Sequence, residues 1–290
     1  MCKLCLKHGA AGKWYLNANN YLKTETEEGY ISEYLEETWG NLERCNVMKV
    51  HGLFNMSGLS RNANKTLLGP FLRWYANKGF SKDGRYHRLN TKAAQGHTGQ
   101  VIPFEETKLI LQEKVEMVAK YYCPCKYFNR GIKEANCLAF SPLVEVLPKL
   151  PRYIPNNKLE ILDNEQAISF VEKMGKKGYV HTIWCGPVPA IIGLCSCELP
   201  SCGSLRLRHF GIKVCLKGEY VATVDPNKCV GCRKCASSCQ FGALSFSPLV
   251  NRPIIRSELC FGCGLCRDRC ENQAINLIDR NIVPEARSKY

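Results

Sequence analysis

The sequence predicts an α+β protein in which a compact cysteine-rich unit follows a larger region of mixed helices and strands. Two observations support this class. Helical and buried-strand patterns alternate over most of the chain, and eight cysteines near the C-terminus repeat one spacing. We expect a helical region at residues 1–97, a cysteine-rich α+β module at 98–215, and a unit of two short hairpins and helices at 219–282.

The eight C-terminal cysteines form two runs, each with the spacing C-x2-C-x2-C-x3-C, and the second run begins 31 residues after the first. This spacing is typical of a pair of 4Fe-4S clusters in which the fourth cysteine of each run ligates the other cluster. One predicted ligand set, called here the first cysteine set, is Cys229, Cys232, Cys235 and Cys270. The other, called the second cysteine set, is Cys260, Cys263, Cys266 and Cys239.

Residues 219–280 resemble a bacterial-type dicluster ferredoxin domain, through the segments CVGCRKCASSCQFGAL and CFGCGLCRDRCENQAI. Gly231 and Gly262 occupy matching positions, where we expect left-handed backbone angles. The chain departs from the family after each fourth cysteine, where Gln240 and Glu271 replace the usual proline. Two zinc ribbons are the alternative, because C-x2-C pairs also bind zinc. Ribbons usually separate their pairs by longer loops, which favours iron-sulfur clusters.

Several regular elements are predicted ahead of this unit. Helices are expected within residues 24–45 and around Leu67 to Trp74. A further helix should begin at Pro103 and run directly into the Cys123-Pro124-Cys125 motif. The cleanest helix starts with a capping box formed by Asp163 and Gln166 and stops at Gly175. Residues 179–184 and 211–224 read as strands.

Six further cysteines are candidates for a third metal site formed by two loops, namely Cys123, Cys125, Cys137, Cys195, Cys197 and Cys202. Thiolates are soft ligands, so a further Fe-S cluster and a zinc site both fit, and buried or redox-reactive thiols remain a third interpretation. Residues 98–202 also resemble a cysteine-rich module of ferredoxin-like proteins of anaerobes, through GQVIPFEE, CPC and the C-x-C-x4-C group.

Other cysteines and a histidine receive weaker assignments. Cys2 and Cys5 form a C-x2-C pair that could contribute to a metal site, with Cys45 as a further candidate ligand. We expect Cys215 to be a small buried hydrophobic residue, and His181 to be a hydrogen-bonded core residue rather than a ligand.

The bulk composition restricts the setting and the partners. Nineteen cysteines without a secretory signal predict a metal-thiolate protein of a reducing, cytoplasmic and anaerobic environment. No apolar run reaches the length of a membrane span. The formal charge of +14 falls to about +10 once two clusters of about −2 each are included, which favours an acidic redox partner. No nucleotide-binding fingerprint or nucleic-acid fold signature is present.

Taken together, the pattern predicts an electron-transfer protein with two 4Fe-4S clusters and a candidate third centre. The alternative is an iron-sulfur oxidoreductase in which the N-terminal cysteine-rich region holds a catalytic metal site supplied with electrons by the C-terminal unit. Whether the chain is itself an enzyme is left open by the sequence. A redox-sensing or nucleic-acid-binding regulator would rest on the charge alone.

Overall fold

The computed structural model describes residues 13–21, 70–71, 74, 99–141, 143–149, 154, 156, 158–185, 191–209 and 215–288. The predicted helix within residues 24–45 and the cysteines Cys2, Cys5 and Cys45 lie outside these ranges. Of the predicted helix at Leu67 to Trp74, the described residues 70, 71 and 74 are helical. In the described part of the chain, no helix has the length and apolar character needed to cross a bilayer.

A seven-stranded sheet forms the centre of the larger part of the molecule. In space its strands follow the order β4-β2-β3-β6-β5-β1-β7, and all neighbours are antiparallel except β1 and β7. In chain order the strands are β1 Gly99–Ile102, β2 Val118–Tyr122, β3 Ala135–Phe140, β4 Glu160–Leu162, β5 Val180–Cys185, β6 Ile191–Cys197 and β7 Cys215–Leu216. Mixed helices and strands therefore confirm the coarse fold class.

Five helices accompany this sheet in the described ranges. They are α1 Phe104–Glu113, α2 Pro124–Arg130, α3 Leu143–Val146, α4 Asn164–Lys176 and α5 Gly203–His209. Helices α1 and α4 pack together, and their residues Ile110 and Val171 share an apolar core with Leu138 and Phe140 of β3. The alternate residues of β3, Cys137 and Ala139, belong to a core on the opposite face. Alternation along β3 thus places Cys137 on the face opposite α1 and α4, whereas Cys185 of β5 belongs to the core that contains these helices.

The structure changes several predicted boundaries. The helix that begins after Pro103 ends at Glu113, and β2 separates it from Cys123, so the predicted continuous helix is wrong. Pro124 is the first residue of α2 rather than a helix stop. Its fixed φ angle and missing N–H suit that position. The predicted strand at 211–224 is interrupted after Leu216 and resumes at Tyr220.

The capping box at the start of α4 is confirmed. Asp163 accepts a hydrogen bond from the Gln166 backbone N–H at 2.8 Å, and the Gln166 side chain accepts one from the Asp163 N–H at 3.1 Å. The helix continues one residue beyond Gly175, and the chain turns at Gly178, whose φ is 88°. The predicted strand that follows is confirmed as β5.

The C-terminal unit contains two two-stranded sheets and one short helix. Strand β8 (Tyr220–Val224) pairs with β11 (Ile275–Asp279), and β9 (Leu244–Ser247) pairs with β10 (Arg252–Ile255). Helix α6 spans Leu265–Asp268. The guanidinium of Arg280 is fully buried and donates to the carbonyl oxygens of Gly218, Tyr220, Cys260 and Ala286 at 2.6–3.1 Å. This one side chain ties the end of the unit to its beginning.

Polar contacts join the C-terminal unit to the sheet. Gln100 of β1 donates to Glu219 at 2.7 Å, and Tyr220 donates to Glu106 of α1 at 2.7 Å. Gln240 makes a further bridge, since its Oε1 accepts from the Leu199 N–H and its Nε2 donates to the Gly178 carbonyl, each at 2.5 Å. The two units therefore have a specific interface rather than a loose link.

Candidate metal centres

A cavity in the C-terminal unit is lined by all four members of the first cysteine set. The volume of this cavity, including the part that is open to solvent, is about 340 Å³. Burial raises the pKa of the Cys235 thiol, and the charges of Cys270, Cys232 and Cys229 raise it further. Three cysteines of the first run thus surround one space together with the last cysteine of the second run.

The second cysteine set lies deeper. Burial raises the pKa of Cys263 well above its usual range, and Cys266, Cys260 and Cys239 contribute as neighbouring charges. Burial likewise raises the pKa of Cys266 to about 12, with Cys260 and Cys239 as its principal neighbours. Cys263 and Cys266 therefore lie near Cys239, the fourth cysteine of the other run. In the same way, Cys235 lies near Cys270.

The two copies of the repeat differ in their surroundings. Val230 follows the first cysteine of one run and is 64% exposed, whereas its counterpart Phe261 is 7% exposed. The Phe261 ring stacks on Phe241 with a centroid separation of 3.8 Å and an interplanar angle of 12°. Cys232 is exposed, whereas Cys239 and Cys263 of the second set pack against the core that contains this aromatic pair. The first set faces the surface and the second faces the large sheet.

Backbone geometry in both runs suits thiolate ligands. Gly231 and Gly262 each have φ of +70°, as predicted. A Cβ on Gly262 would lie 2.2 Å from the Tyr220 carbonyl oxygen, so only glycine fits that position. Backbone N–H groups donate to sulfur, from Ala222 to Cys260 at 3.4 Å and from Ala274 to Cys270 at 3.3 Å. The tight turns therefore let the backbone approach the thiols closely.

The donor set fits 4Fe-4S clusters, which cysteine thiolates hold in fours. In the described ranges no three or more His, Cys, Asp or Glu side chains are already arranged to hold a metal ion. This is as true of the eight C-terminal cysteines as of the other thiols.

The six candidate cysteines ahead of the C-terminal unit are brought together in one contact network, called here the six-thiol cluster. The Cys123 thiol shares hydrogen bonds with Cys125, Cys137 and Cys197. Cys137 also contacts Cys195, its partner across β3 and β6, and Cys197 contacts Cys202. The prediction that two loops present these residues is wrong in part, because Cys137, Cys195 and Cys197 lie within strands.

Hydrogen bonds within the six-thiol cluster shift the pKa values of its thiols in different directions. The thiols of Cys125, Cys137 and Cys197 donate toward Cys123 and hold its pKa well below the usual range. A hydrogen bond from Cys197 likewise lowers the pKa of Cys202. The cluster therefore favours the thiolate form at Cys123 and Cys202 even before a metal is considered.

A buried lysine ties together the two segments that carry these thiols. Lys126, whose side chain is 3% exposed, pairs with Glu134 and with Glu198 at 3.3 Å. Arg130 also pairs with Glu198, at 3.1 Å, and the Asn129 amide donates to the Ser201 carbonyl at 2.9 Å. These polar contacts fasten helix α2 to the turn between β6 and α5.

Two single-residue predictions are confirmed. His181 is 2% exposed, its Nδ1 shares a hydrogen bond of 2.8 Å with the Ser196 hydroxyl, and burial lowers its pKa to about 4. Cys215 is fully buried. Gln240 is the residue whose role the sequence did not show. The only signal was its replacement of the usual proline, which marks a changed turn but not its two partners.

Comparison with known proteins defines the class of the C-terminal unit. Residues 228–274 match a family model described as a 4Fe-4S dicluster domain. The chain therefore carries a domain of this class close to its C-terminal end.

Relatives extend the comparison over a short segment. Proteins named Archaeal-type glutamate synthase (NADPH) from Thermotoga sp. (strain RQ2) and Thermotoga maritima are each 32% identical to this chain over 59 residues. That segment is 20% of this chain and 12% of each relative, so the chain spans a small part of their length. No solved structure matches the chain significantly.

Proposed function

We propose that this chain is an iron-sulfur electron-transfer protein whose first and second cysteine sets each hold one 4Fe-4S cluster. The observation that carries this proposal is the neighbourhood of Cys235 and Cys263, in which each thiol has the fourth cysteine of the opposite run beside it. When bound, such clusters accept and release single electrons without proton transfer to a substrate. The match to a 4Fe-4S dicluster domain supports the same role.

The exposed first set is the proposed port for the redox partner. Cys232 and Val230 are exposed, and so are the basic residues Lys228, Arg233 and Lys234 around the same loop. Lys234 is paired with Glu271 at 2.6 Å, which leaves Lys228 and Arg233 to present positive charge. Basic charge beside an exposed cluster increases the rate of encounter with an acidic protein, so we propose an acidic partner.

The setting proposed for the protein is a reducing cytoplasm in an anaerobic cell. All sixteen cysteines within the described ranges are free of disulfides. Exposed iron-sulfur clusters and free thiols both react with oxygen, and both persist in a reducing compartment.

Crossed ligation is tested with a matched pair of variants, Cys270→Ala and Cys239→Ala. In the crossed arrangement, Cys270→Ala removes or degrades the exposed cluster and leaves the buried one. Cys239→Ala does the opposite. Iron and sulfide are measured after anaerobic purification, and the surviving cluster is challenged with a membrane-impermeant iron chelator. The exposed survivor in Cys239→Ala should lose iron faster than the buried survivor in Cys270→Ala.

Two outcomes would contradict the proposal. If the chelator attacks the survivor faster in Cys270→Ala than in Cys239→Ala, each run holds its own cluster without crossing. If the unaltered protein binds zinc in place of iron and sulfide under anaerobic reconstitution, the electron-transfer function is wrong.

A second candidate function is an iron-sulfur oxidoreductase in which the region before the dicluster domain holds a catalytic metal site. The similarity to proteins named as glutamate synthases, which are enzymes, and the six-thiol cluster both favour it. Full ligation by four thiolates gives a relay or structural centre, whereas an open coordination position gives a catalytic one. Binding of a small exogenous ligand to the reduced protein, seen as a shifted EPR signal, would support the catalytic alternative.

A further inference from the structure

Four members of the six-thiol cluster are mutual neighbours. Cys123 contacts Cys125 and Cys197, and Cys197 contacts Cys202. Cys202 also lies within electrostatic range of Cys125 and of Cys123. The remaining two, Cys137 and Cys195, extend the network as a cross-strand pair on β3 and β6. Pairwise contacts therefore link these four thiols in one group, and the cross-strand pair adjoins the group through Cys137.

Backbone N–H groups point at three of these four sulfurs. Lys126 donates to Cys123, Gly203 to Cys125, and Leu205 to Cys202, the last at 3.5 Å. Such hydrogen bonds to sulfur are among the features that set the potential of an iron-sulfur cluster. N–H donors to sulfur also occur at Cys260 and Cys270 of the dicluster domain. The same type of environment is thus built twice in this chain.

The two segments that supply the four thiols hold their positions without a metal. The contacts of Lys126 and Arg130 with Glu198 fasten α2 to the turn that carries Cys202. The Asn136 amide donates to the Ser196 carbonyl at 2.5 Å and fixes the strand that carries Cys197. The large sheet has apolar cores on both faces, so its folding does not depend on a zinc ion as that of a very small domain does.

The position of this site favours an electron-carrying metal centre. Cys197 and Cys202 share an apolar core with Leu205, Phe241 and Phe261. Cys239 and Cys263 of the second cysteine set pack against this core from the other side. One apolar layer, which contains the stacked aromatic pair, therefore contacts Cys197 and Cys202 and also Cys239 and Cys263 of the second cysteine set. No comparable layer is needed around a purely structural ion.

We propose that Cys123, Cys125, Cys197 and Cys202 hold a third 4Fe-4S cluster that exchanges single electrons with the cluster of the second cysteine set. This inference rests on the proposed dicluster function. The reduced cluster of the second set loses one electron and is oxidised, and the third cluster gains that electron and is reduced. No bond is made or broken in the chain. The third centre extends the path from the exposed first set into the large sheet.

Metal analysis of variants tests this assignment. Anaerobically purified protein should contain about twelve irons per chain and, when fully reduced, about three unpaired spins by EPR integration. The double variant Cys125→Ala/Cys202→Ala should retain about eight irons and about two spins, with the dicluster signals intact. The matched variant Cys137→Ala/Cys195→Ala removes two thiols from the same network and should retain about twelve irons. Cys185→Ala, at a buried cysteine outside the network, serves as a folding control.

The results also separate this inference from the proposed function. About eight irons in the unaltered protein, with or without one zinc, would overturn the third cluster and leave the dicluster function standing. Loss of about four irons from Cys137→Ala/Cys195→Ala, with none lost from Cys125→Ala/Cys202→Ala, would overturn the ligand assignment. Retention of the dicluster EPR signals in each variant shows that the chain has folded, so a change in iron content reports on the third site itself.

Discussion

The dicluster domain and the six-thiol cluster assemble cysteines in opposite ways. In the former, three thiols of each set come from one tight loop, and the turns depend on glycines such as Gly262. In the latter, Cys123 and Cys125 are joined to Cys197 and Cys202 only by the antiparallel sheet and its polar contacts. The comparison teaches that one site is encoded by local spacing and the other by topology. Each should therefore fail for a different physical reason.

The comparison also assigns different surroundings to the two cysteine sets. The first set opens to solvent beside exposed Val230, whereas Cys239 and Cys263 of the second set pack against the core that contains Phe261, Cys197 and Cys202. The two runs thus have the same cysteine spacing in the sequence but different surroundings in the structure. An electron carrier benefits from this asymmetry, because one end is accessible to a partner and the other is shielded from water.

The largest expected effect is on the local spacing of the dicluster domain. Gly262→Ala places a Cβ 2.2 Å from the Tyr220 carbonyl oxygen at a φ of +70°. Backbone strain and overpacking together should lower the free energy of unfolding by roughly 2–5 kcal/mol. Anaerobic urea unfolding followed by far-UV circular dichroism measures the loss. Visible absorbance follows the clusters in the same samples.

Gly242→Ala is the matched control for this substitution. Gly242 has a similar φ of +69°, but an added Cβ meets nothing within 4 Å. It should therefore cost only the backbone term, about 1–2 kcal/mol. Equal losses in the two variants would show that the close approach to Tyr220 contributes nothing to the fold.

The second substitution breaks the polar clamp of the six-thiol cluster. Lys126→Met removes the buried ammonium group between Glu134 and Glu198 and leaves both carboxylates with fewer partners. Breaking a buried ion pair by removing one member is costly, and because Lys177 still pairs with Glu134, we expect a loss of about 2–3 kcal/mol. Urea unfolding measures the loss, and iron analysis shows whether the proposed third cluster is affected.

Lys177→Met removes the other lysine that pairs with Glu134. Its side chain is 43% exposed, so its ion pair is screened by solvent, and we expect a loss below about 1 kcal/mol. A larger loss from Lys177→Met than from Lys126→Met would mean that the exposed pair, rather than the buried one, fastens α2.

The third substitution loosens the junction between the two regions. Gln240→Ala removes both hydrogen bonds that join the dicluster domain to Leu199 and Gly178. With two partly buried backbone partners left unsatisfied, we expect a loss of about 1–2 kcal/mol. Limited proteolysis should cut between the units sooner in this variant than in the unaltered protein.

Glu271→Ala is the corresponding change in the other copy of the repeat. Glu271 pairs with Lys234 on the surface, so its removal should leave stability and protease resistance unchanged. If both variants behave alike, the replacement of proline by Gln240 has no role at the interface.

Local signals predicted the parts of this fold that local physics determines. The capping box of Asp163 and Gln166 is confirmed because both of its hydrogen bonds close within a single turn. The left-handed angles of Gly231 and Gly262 follow from the tight ligand loops. The dicluster motif could likewise be recognised from the sequence, because its cysteines lie close together in the chain. The family match supports that interpretation.

Topology determined what could not be predicted. Val118 continued the helical spacing from Ile110, yet it lies in β2, a central strand with buried residues on both faces. A short strand of that kind shows no alternation to separate it from a helix. The sequence also named the six candidate thiols without choosing among them. The contacts among them depend on the pairing of β3 with β6, which places Cys137 opposite Cys195.

The smallest expected effect is a pH dependence in the core of the large sheet. His181 lies in β5 against the Ser196 hydroxyl and the Phe104 ring, and a Cβ on Gly175 would lie 3.3 Å from its Nε2. Burial lowers its pKa to about 4, below the value of about 6.5 expected in the unfolded chain. The unfolded state therefore takes up a proton first as the pH falls. The stabilisation is complete above about pH 6.5 and is lost progressively toward about pH 4.

Between pH 7 and pH 5.5 this linkage should lower the free energy of unfolding by about 1 kcal/mol. His181→Gln removes the titrating group and keeps a polar side chain near Ser196, so its stability should change less over the same interval. Urea unfolding at the two pH values measures both slopes while the pH stays above the range in which iron-sulfur clusters dissolve. Equal slopes in the two proteins would mean that His181 binds its proton equally well in the folded and unfolded states, so that burial beside Ser196 does not lower its pKa.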